Sequence, residues 1–265
     1  MTDINAGRWT LGAGPLAPQH TAMPTPRSEL VDDEIALYYH LVSRCVRRSW
    51  LCGNDPYSGQ CFDHRKAWIK ARLYHPARYF AVEVVAYTIM SDHFHLCVRY
   101  DPLETDRWDD VEVADRWLAA FPPPLSQDRE AMLELHRDLL SCSPERLAHA
   151  HSTLGSMSRF MQQLKQPIAR RANREDGCTG HFFEGRYYSG ALLNDEAIIA
   201  AMVYIDLNPV RADIARSIED IEDSSIQDRL AYLINTSERL EAAMAPLVSG
   251  ITSTPRRSKV ELGVW

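Results

Sequence analysis

Residues 79–100, YFAVEVVAYTIMSDHFHLCVRY, constrain the fold more than any other stretch. The run is rich in β-branched and aromatic residues, and Ser91 and Asp92 interrupt it, so it predicts two strands joined at a turn near Met90 to Asp92. Upstream, HRKAWIKARLYHP sets Trp68, Ile69, Leu73 and Tyr74 at helical spacing and is expected to stop at Pro76. Earlier still, in EIALYYHLVSRCVRRSW, Tyr39, Leu41 and Ser43 alternate with His40, Val42 and Arg44 as in a strand. Strand, helix, strand, strand opens a ferredoxin-like half. The expected class is therefore α+β: a ferredoxin-like antiparallel sheet with flanking helices, a helical insertion and a C-terminal helix.

The remaining segments fill in that plan. Residues 1–30 hold several Gly and Pro without apolar periodicity and read as an irregular arm. Residues 31–245 form the expected domain, with an acid-rich helical insertion at about 101–150 broken by Pro122 to Pro124. Next, STLGSMSRFMQQLKQPIARRANRE places Leu154, Met157, Met161 and Leu164 on one helical face, ending at Gly177. GHFFEGRYYSGALL is aromatic and β-like. NDEAIIAAMVYIDLNP begins with an Asn cap and acids in its first turn, and Pro209 is expected to follow its last turn. One more helix is predicted within SSIQDRLAYLINTSERLEAAMAPLV, followed by a loose tail over 246–265.

A chain of 265 residues, 45% hydrophobic and 25% charged, can bury a full core. No apolar run of about 18 residues and no signal-like start occur, so no membrane partner and a cytoplasmic location are expected. The cysteines (Cys45, Cys52, Cys61, Cys97, Cys142, Cys178) form no C-x-x-C pair, which reads as reduced thiols and neither a zinc ribbon nor a disulfide framework. The net charge of -7 is uneven. Residues 40–100 carry nine Lys or Arg against four Asp or Glu, and residues 101–150 carry five against twelve. Local charge is what faces a phosphate backbone, so the acidic total does not exclude nucleic acid.

Two constellations carry chemistry. Residues i and i+2 of a strand share a face, so His93 and His95 project together while Phe94 turns away. That suits two neutral imidazoles on one divalent ion, or equally a solvated pair on an open sheet face. His149 and His151 share the spacing but fall near a helix end, where i and i+2 diverge. In YIDLNP, Tyr204 and Asn208 lie four apart and share a helix face. An Asn oxygen can ligate a hard cation, and a Tyr hydroxyl can act as a nucleophile; the alternative is a core aromatic and a helix terminator. Asp92 reads either as a turn residue or as an acceptor orienting a ligand histidine.

Together these segments resemble a known family. YTIMSDHFHLCV is similar to the HUH segment of the single-tyrosine transposases, with Phe94 as the bulky apolar residue. GHFFEGRYYSGALLNDEAIIAAMVYIDLNPVRADIA resembles the aromatic strand, catalytic helix and Asn-Pro-Val-Arg ending of the REP-associated tyrosine transposase branch. The likeness runs from about Tyr38 to Ala215, apart from the insertion. Ser91 and Asp92 stand where many relatives have Pro-Asn, and the acidic insertion has no counterpart. The resemblance implies a DNA endonuclease and strand transferase acting on single-stranded or hairpin DNA through a 5′-phosphotyrosine. It implies Tyr204 as nucleophile, and His93, His95 and Asn208 as ligands of a divalent ion, Mg²⁺ or Mn²⁺. A monomer or homodimer associated with the nucleoid is expected.

Phosphate contacts are expected from Arg44, Arg47 and Arg48 beside the first strand. Arg159, Lys165, Arg170 and Arg171 on the amphipathic helix, and Arg186 and Arg211, are further candidates; all position DNA without reading its sequence. Of the neighbours Tyr187 and Tyr188, one must face inward, and Tyr188 is taken as a stacking platform. Two other classes share these motifs: a domesticated binder of structured DNA that does not cut, and a metal phosphoesterase that uses water.

Overall fold

The structure is a computed structural model that describes residues 31, 35–46, 50–124 and 128–235, the last three without their side chains. The N-terminal arm, Arg47, Arg48 and the 246–265 tail lie outside the described residues. In chain order come β1 (Leu37–Arg44), α1 (His64–Ala77), β2 (Val82–Ile89) and β3 (His93–Tyr100). A 3₁₀ turn (Pro102–Arg107) leads to α2 (Asp110–Ala120), α3 (Arg129–Ser141), α4 (Pro144–Leu154) and α5 (Met157–Glu175). Then follow β4 (Tyr188–Leu192), α6 (Asp195–Arg211) and α7 (Ser225–Asn235). The strands form one sheet in the order β2-β3-β1-β4 with every pairing antiparallel, the α+β arrangement expected.

The two-residue period of the strands gives the sheet two different faces. One face carries Tyr39, Leu41, Phe94, Leu96, Val98 and Tyr100, which pack on Ile69 and Leu73 of α1 and on Phe160, Met161, Leu164 and Ile168 of α5. The other carries His40, His93, His95 and Cys97. There α6 seats Met202 and Ile205 on Ala86 and Cys97, which are direct cross-strand partners. The small pair lets the helix approach closely.

Helix ends deviate from the expected ones for local reasons. Leu154 closes α4 and does not belong to α5. Ser156 caps the new helix by accepting from the Arg159 N–H at 3.3 Å, and a side chain in place of Gly155 would meet Thr105 at 3.2 Å. Neither Pro76 nor Pro209 stops its helix: α1 runs on to Ala77 and α6 to Arg211. A proline removes one N–H only, and the Asn208 and Pro209 carbonyls still accept from Ala212 and Ile214. Gly177, just past α5, sits at φ 61, where a Cβ would be strained.

The acid-rich stretch is helical and neutralises part of its own charge, Arg116 pairing with Glu112 at 2.7 Å and Arg137 with Asp115 at 2.7 Å. Beneath the other half, α1 is tied to the end of α5 by Arg65. This guanidinium is 1% exposed and donates to Glu175 at 2.8 Å, to Asp176 and to the Trp50 carbonyl at 2.8 Å. Replacing it removes a fully buried side chain and takes a donor from the Trp50 carbonyl and from two partly exposed carboxylates. We expect Arg65→Ala to lose about 2–3 kcal/mol in urea unfolding, and a loss below about 1 kcal/mol would show the network to be dispensable.

Candidate active site

The site is built on the sheet face under α6. His93 and His95 stand side by side on β3, ring centroids 4.8 Å apart, and α6 brings Tyr204 to 5.7 Å from the His95 ring. One turn on, the Asn208 Nδ2 is 3.3 Å from His95 Nε2. Asn208 is buried, whereas Tyr204 keeps 37% of its surface. The helix is started by Asn194, whose side chain accepts from the Ala197 N–H at 2.8 Å, with Asp195 and Glu196 at the positive end of its dipole.

The turn before His93 is fixed to the backbone that follows β1. Cys45 N–H donates to the Asp92 carbonyl at 2.7 Å, and the Leu51 and Cys52 N–H groups donate to the Ser91 carbonyl at 2.7 and 3.2 Å. The Asp92 carboxylate reaches His93 Nδ1 at 2.6 Å and lies 3.7 Å from Arg44 Nε. The His93 hydrogen bond, backed by Arg44, holds the Asp92 carboxyl below its usual range. Asp92 thus hydrogen-bonds the neighbouring histidine through Nδ1 as well as sitting in the turn.

His95 is 5% exposed, and burial pushes its pKa down to about 2, helped by the nearby His93, His40 and Arg44. His40, on β1, is pushed down to about 4 by burial. Both rings are therefore neutral at pH 7, the form that ligates metals.

The donor set fits a divalent ion. Two ligand atoms bound at about 2.1 Å to one ion are separated by roughly 3 to 3.5 Å, and the Asn208 amide meets His95 Nε2 within that span. A half-turn of the carboxamide exchanges oxygen for nitrogen without moving another atom, so the side chain can present Oδ1. Among the described residues no group of three His, Cys, Asp or Glu side chains makes a metal site.

The other expected contacts divide by face. Arg44 pairs across the strands with His93 and shares its side of the sheet. Arg211 lies with its guanidinium carbon 5.1 Å from the Tyr204 ring centroid. Tyr188, 63% exposed, stands edge-on to His40 at 6.4 Å, while Tyr187 is buried. Arg186 is exposed just before β4. Arg159, Lys165, Arg170 and Arg171 sit on α5, across the sheet from the histidines. Arg171 stacks on Trp68 at 3.7 Å and Lys165 lies 5.1 Å from the Phe183 ring. The two groups therefore lie on opposite sides of the sheet. His149 and His151 are in α4, near Trp117 and Asp106 respectively, away from the site.

Sequence reasoning missed two parts. Alternation marks His40 only as one residue of a strand, yet its Nε2 is 2.9 Å from His95 Nδ1. Asp206, between Tyr204 and Asn208, turns away from the site and accepts from Ser225 Oγ at 2.9 Å and from Arg229 of α7. Neither link had a local signal, because each joins residues distant in sequence.

No protein-family model matches the chain, and no curated protein matches it. Among solved structures it is similar to a REP-associated tyrosine transposase bound to a REP hairpin, at 12% identity and a TM-score of 0.43, covering 74% of this chain and 79% of that one. A likeness that distant assigns no chemistry.

The α7 clamp on α6 makes a direct prediction. Arg229→Ala should cost about 1–3 kcal/mol by leaving the buried Asp206 carboxylate unpaired. A double-mutant cycle with Asp206→Ala in thermal unfolding should show the two losses coupled, and strictly additive losses would contradict the clamp.

Proposed function

We propose that the protein is a metal-dependent, single-tyrosine enzyme that nicks single-stranded or hairpin DNA and transfers the strand. The observation that carries this reading is the convergence, within one chain, of two adjacent histidines, a buried asparagine and an accessible tyrosine on one sheet face. The resemblance of the same residues to the HUH and tyrosine-helix motifs supports it. His93, His95 and Asn208 would hold Mg²⁺ or Mn²⁺, which when bound offsets charge on the scissile phosphate.

Tyr204 Oη forms the new bond to phosphorus, and the bond from phosphorus to the 3′-oxygen breaks. The phenol loses its proton to solvent and the departing 3′-oxygen gains one. The 5′-phosphate stays on Tyr204 as a diester, so attack by another 3′-hydroxyl reverses the step without an external energy source. Arg44 and Arg211 flank the face and supply positive charge for the phosphates, and the exposed Tyr188 ring offers a stacking surface for an unpaired base. A cation site made by α6 and the sheet of one chain is compatible with a monomer. No helix among the described residues is long and apolar enough to cross a membrane, and action at the nucleoid is part of this proposal.

The test is a nicking assay on 5′-labelled hairpin oligonucleotides with Mn²⁺. Tyr204→Phe should lose at least about 10³-fold in nicking while still binding hairpins, because only the nucleophile is removed. EDTA and His95→Ala should abolish nicking as well. Undiminished nicking by Tyr204→Phe would favour a water nucleophile, and hairpin binding by the parent protein with no cleavage under any metal would favour the non-cutting binder.

A further inference from the structure

The proposed centre leaves one imidazole without a role. His40 lies diagonally across the strand pair from His95, since Val42 and not His40 is the direct partner of His95. The two rings stack at 5.1 Å with their planes 17° apart, and His40 Nε2 approaches His95 Nδ1 to 2.9 Å. Two neutral imidazole nitrogens at that distance share one proton, so one donates and the other accepts.

The far side of His95 decides the direction. With the Asn208 amide nitrogen turned toward it, as here, Nε2 carries the lone pair and the ring proton sits on Nδ1; with the amide turned over and an ion bound, the same lone pair would go to the ion, so Nδ1 holds the proton in both arrangements. His40 Nε2 is then the acceptor. The arrangement repeats what Asp92 does for His93: each histidine of the pair has its Nδ1 engaged by a fixed partner, at 2.6 Å for His93 and 2.9 Å for His95. Ligand histidines elsewhere are held in this way by carboxylates, carbonyls or water. Here one holder is a carboxylate and the other a second imidazole.

His40 is itself held in place. Its ring meets Tyr204 edge-on at 5.9 Å and Tyr188 at 6.4 Å. Its cross-strand partner on β4 is Gly190, and a Cβ there would lie 2.9 Å from the Tyr188 Oη. The absent side chain lets the Tyr188 ring lie over β4 beside His40.

We propose that His40 is a positioning residue that accepts the Nδ1 proton of His95 and so keeps the Nε2 lone pair of His95 directed at the space shared with His93 and Asn208. The proposal rests on the metal-site reading above for its consequence, but the tautomer itself can be measured on the metal-free protein.

Long-range ¹⁵N–¹H correlation spectra of the histidine rings are the test. In the wild-type chain His95 should be the Nδ1–H tautomer, and His40→Leu should move it toward Nε2–H. Mn²⁺ affinity by calorimetry should fall about 10–100-fold in His40→Leu and recover in part in His40→Gln, whose amide oxygen accepts the same proton. A wild-type His95 protonated on Nε2 overturns the proposal, whether or not the variants fold. So does a folded His40→Leu protein with unchanged tautomer and affinity. If instead the wild-type chain shows no Mn²⁺ binding that His95→Ala removes, the metal reading fails, and the wild-type tautomer alone decides the role of His40.

Discussion

The seat of α6 on the second face of the sheet is the contact on which the rest of the site depends. Ala86 and Cys97 face each other across β2 and β3, and their small side chains admit Met202 and Ile205 of the helix. Ile205 is fully buried, and in sequence it lies between the exposed Tyr204 and Asn208, which meets His95. The rotation and height of α6 are thus set by apolar packing, and the polar groups take their positions from it. On the opposite face the much larger core with α1 and α5 keeps the sheet rigid.

A second layer of polar contacts refines that placement. The α6 residue that points away from the site, Asp206, is held by Ser225 and Arg229, and the next residue of interest on α7, Asp228, accepts from Tyr74 and Tyr87 at 2.5 Å each and from Lys70 at 2.5 Å. α7 therefore joins the helix bearing the tyrosine to β2 and α1. The histidines are fixed from the other side by Asp92 and His40. Burial keeps His95 uncharged, while Arg44 and Arg211 supply positive charge at the margin of the same face. An uncharged His95 rimmed by positive charge suits an anionic partner.

Much of this was legible in the sequence, where the relevant geometry is local. The strand period put His93 and His95 on one face, the helix period put Tyr204 with Asn208, and the order of elements gave the antiparallel α+β sheet. Helix limits were less legible. Proline rules overstate the stop at Pro76 and Pro209, because the ring costs one hydrogen bond and the last turn survives it, and the apolar stripe through Leu154 ran across a real break at Gly155 and Ser156. The His40–His95 and Asp206–Arg229 contacts depend on strand register and helix docking, which no local pattern encodes. The same holds for the arginines and lysine of α5, whose amphipathic pattern correctly marks a helix but does not say which sheet face it covers.

The most direct measurement is mass mapping of the covalent product after the protein is incubated with hairpin oligonucleotides and Mn²⁺, then denatured and digested. The account predicts a nucleotide-bearing peptide with the modification on Tyr204. Recovery of cleaved DNA with no protein-linked nucleotide, or with the adduct on another tyrosine such as Tyr188, would contradict it.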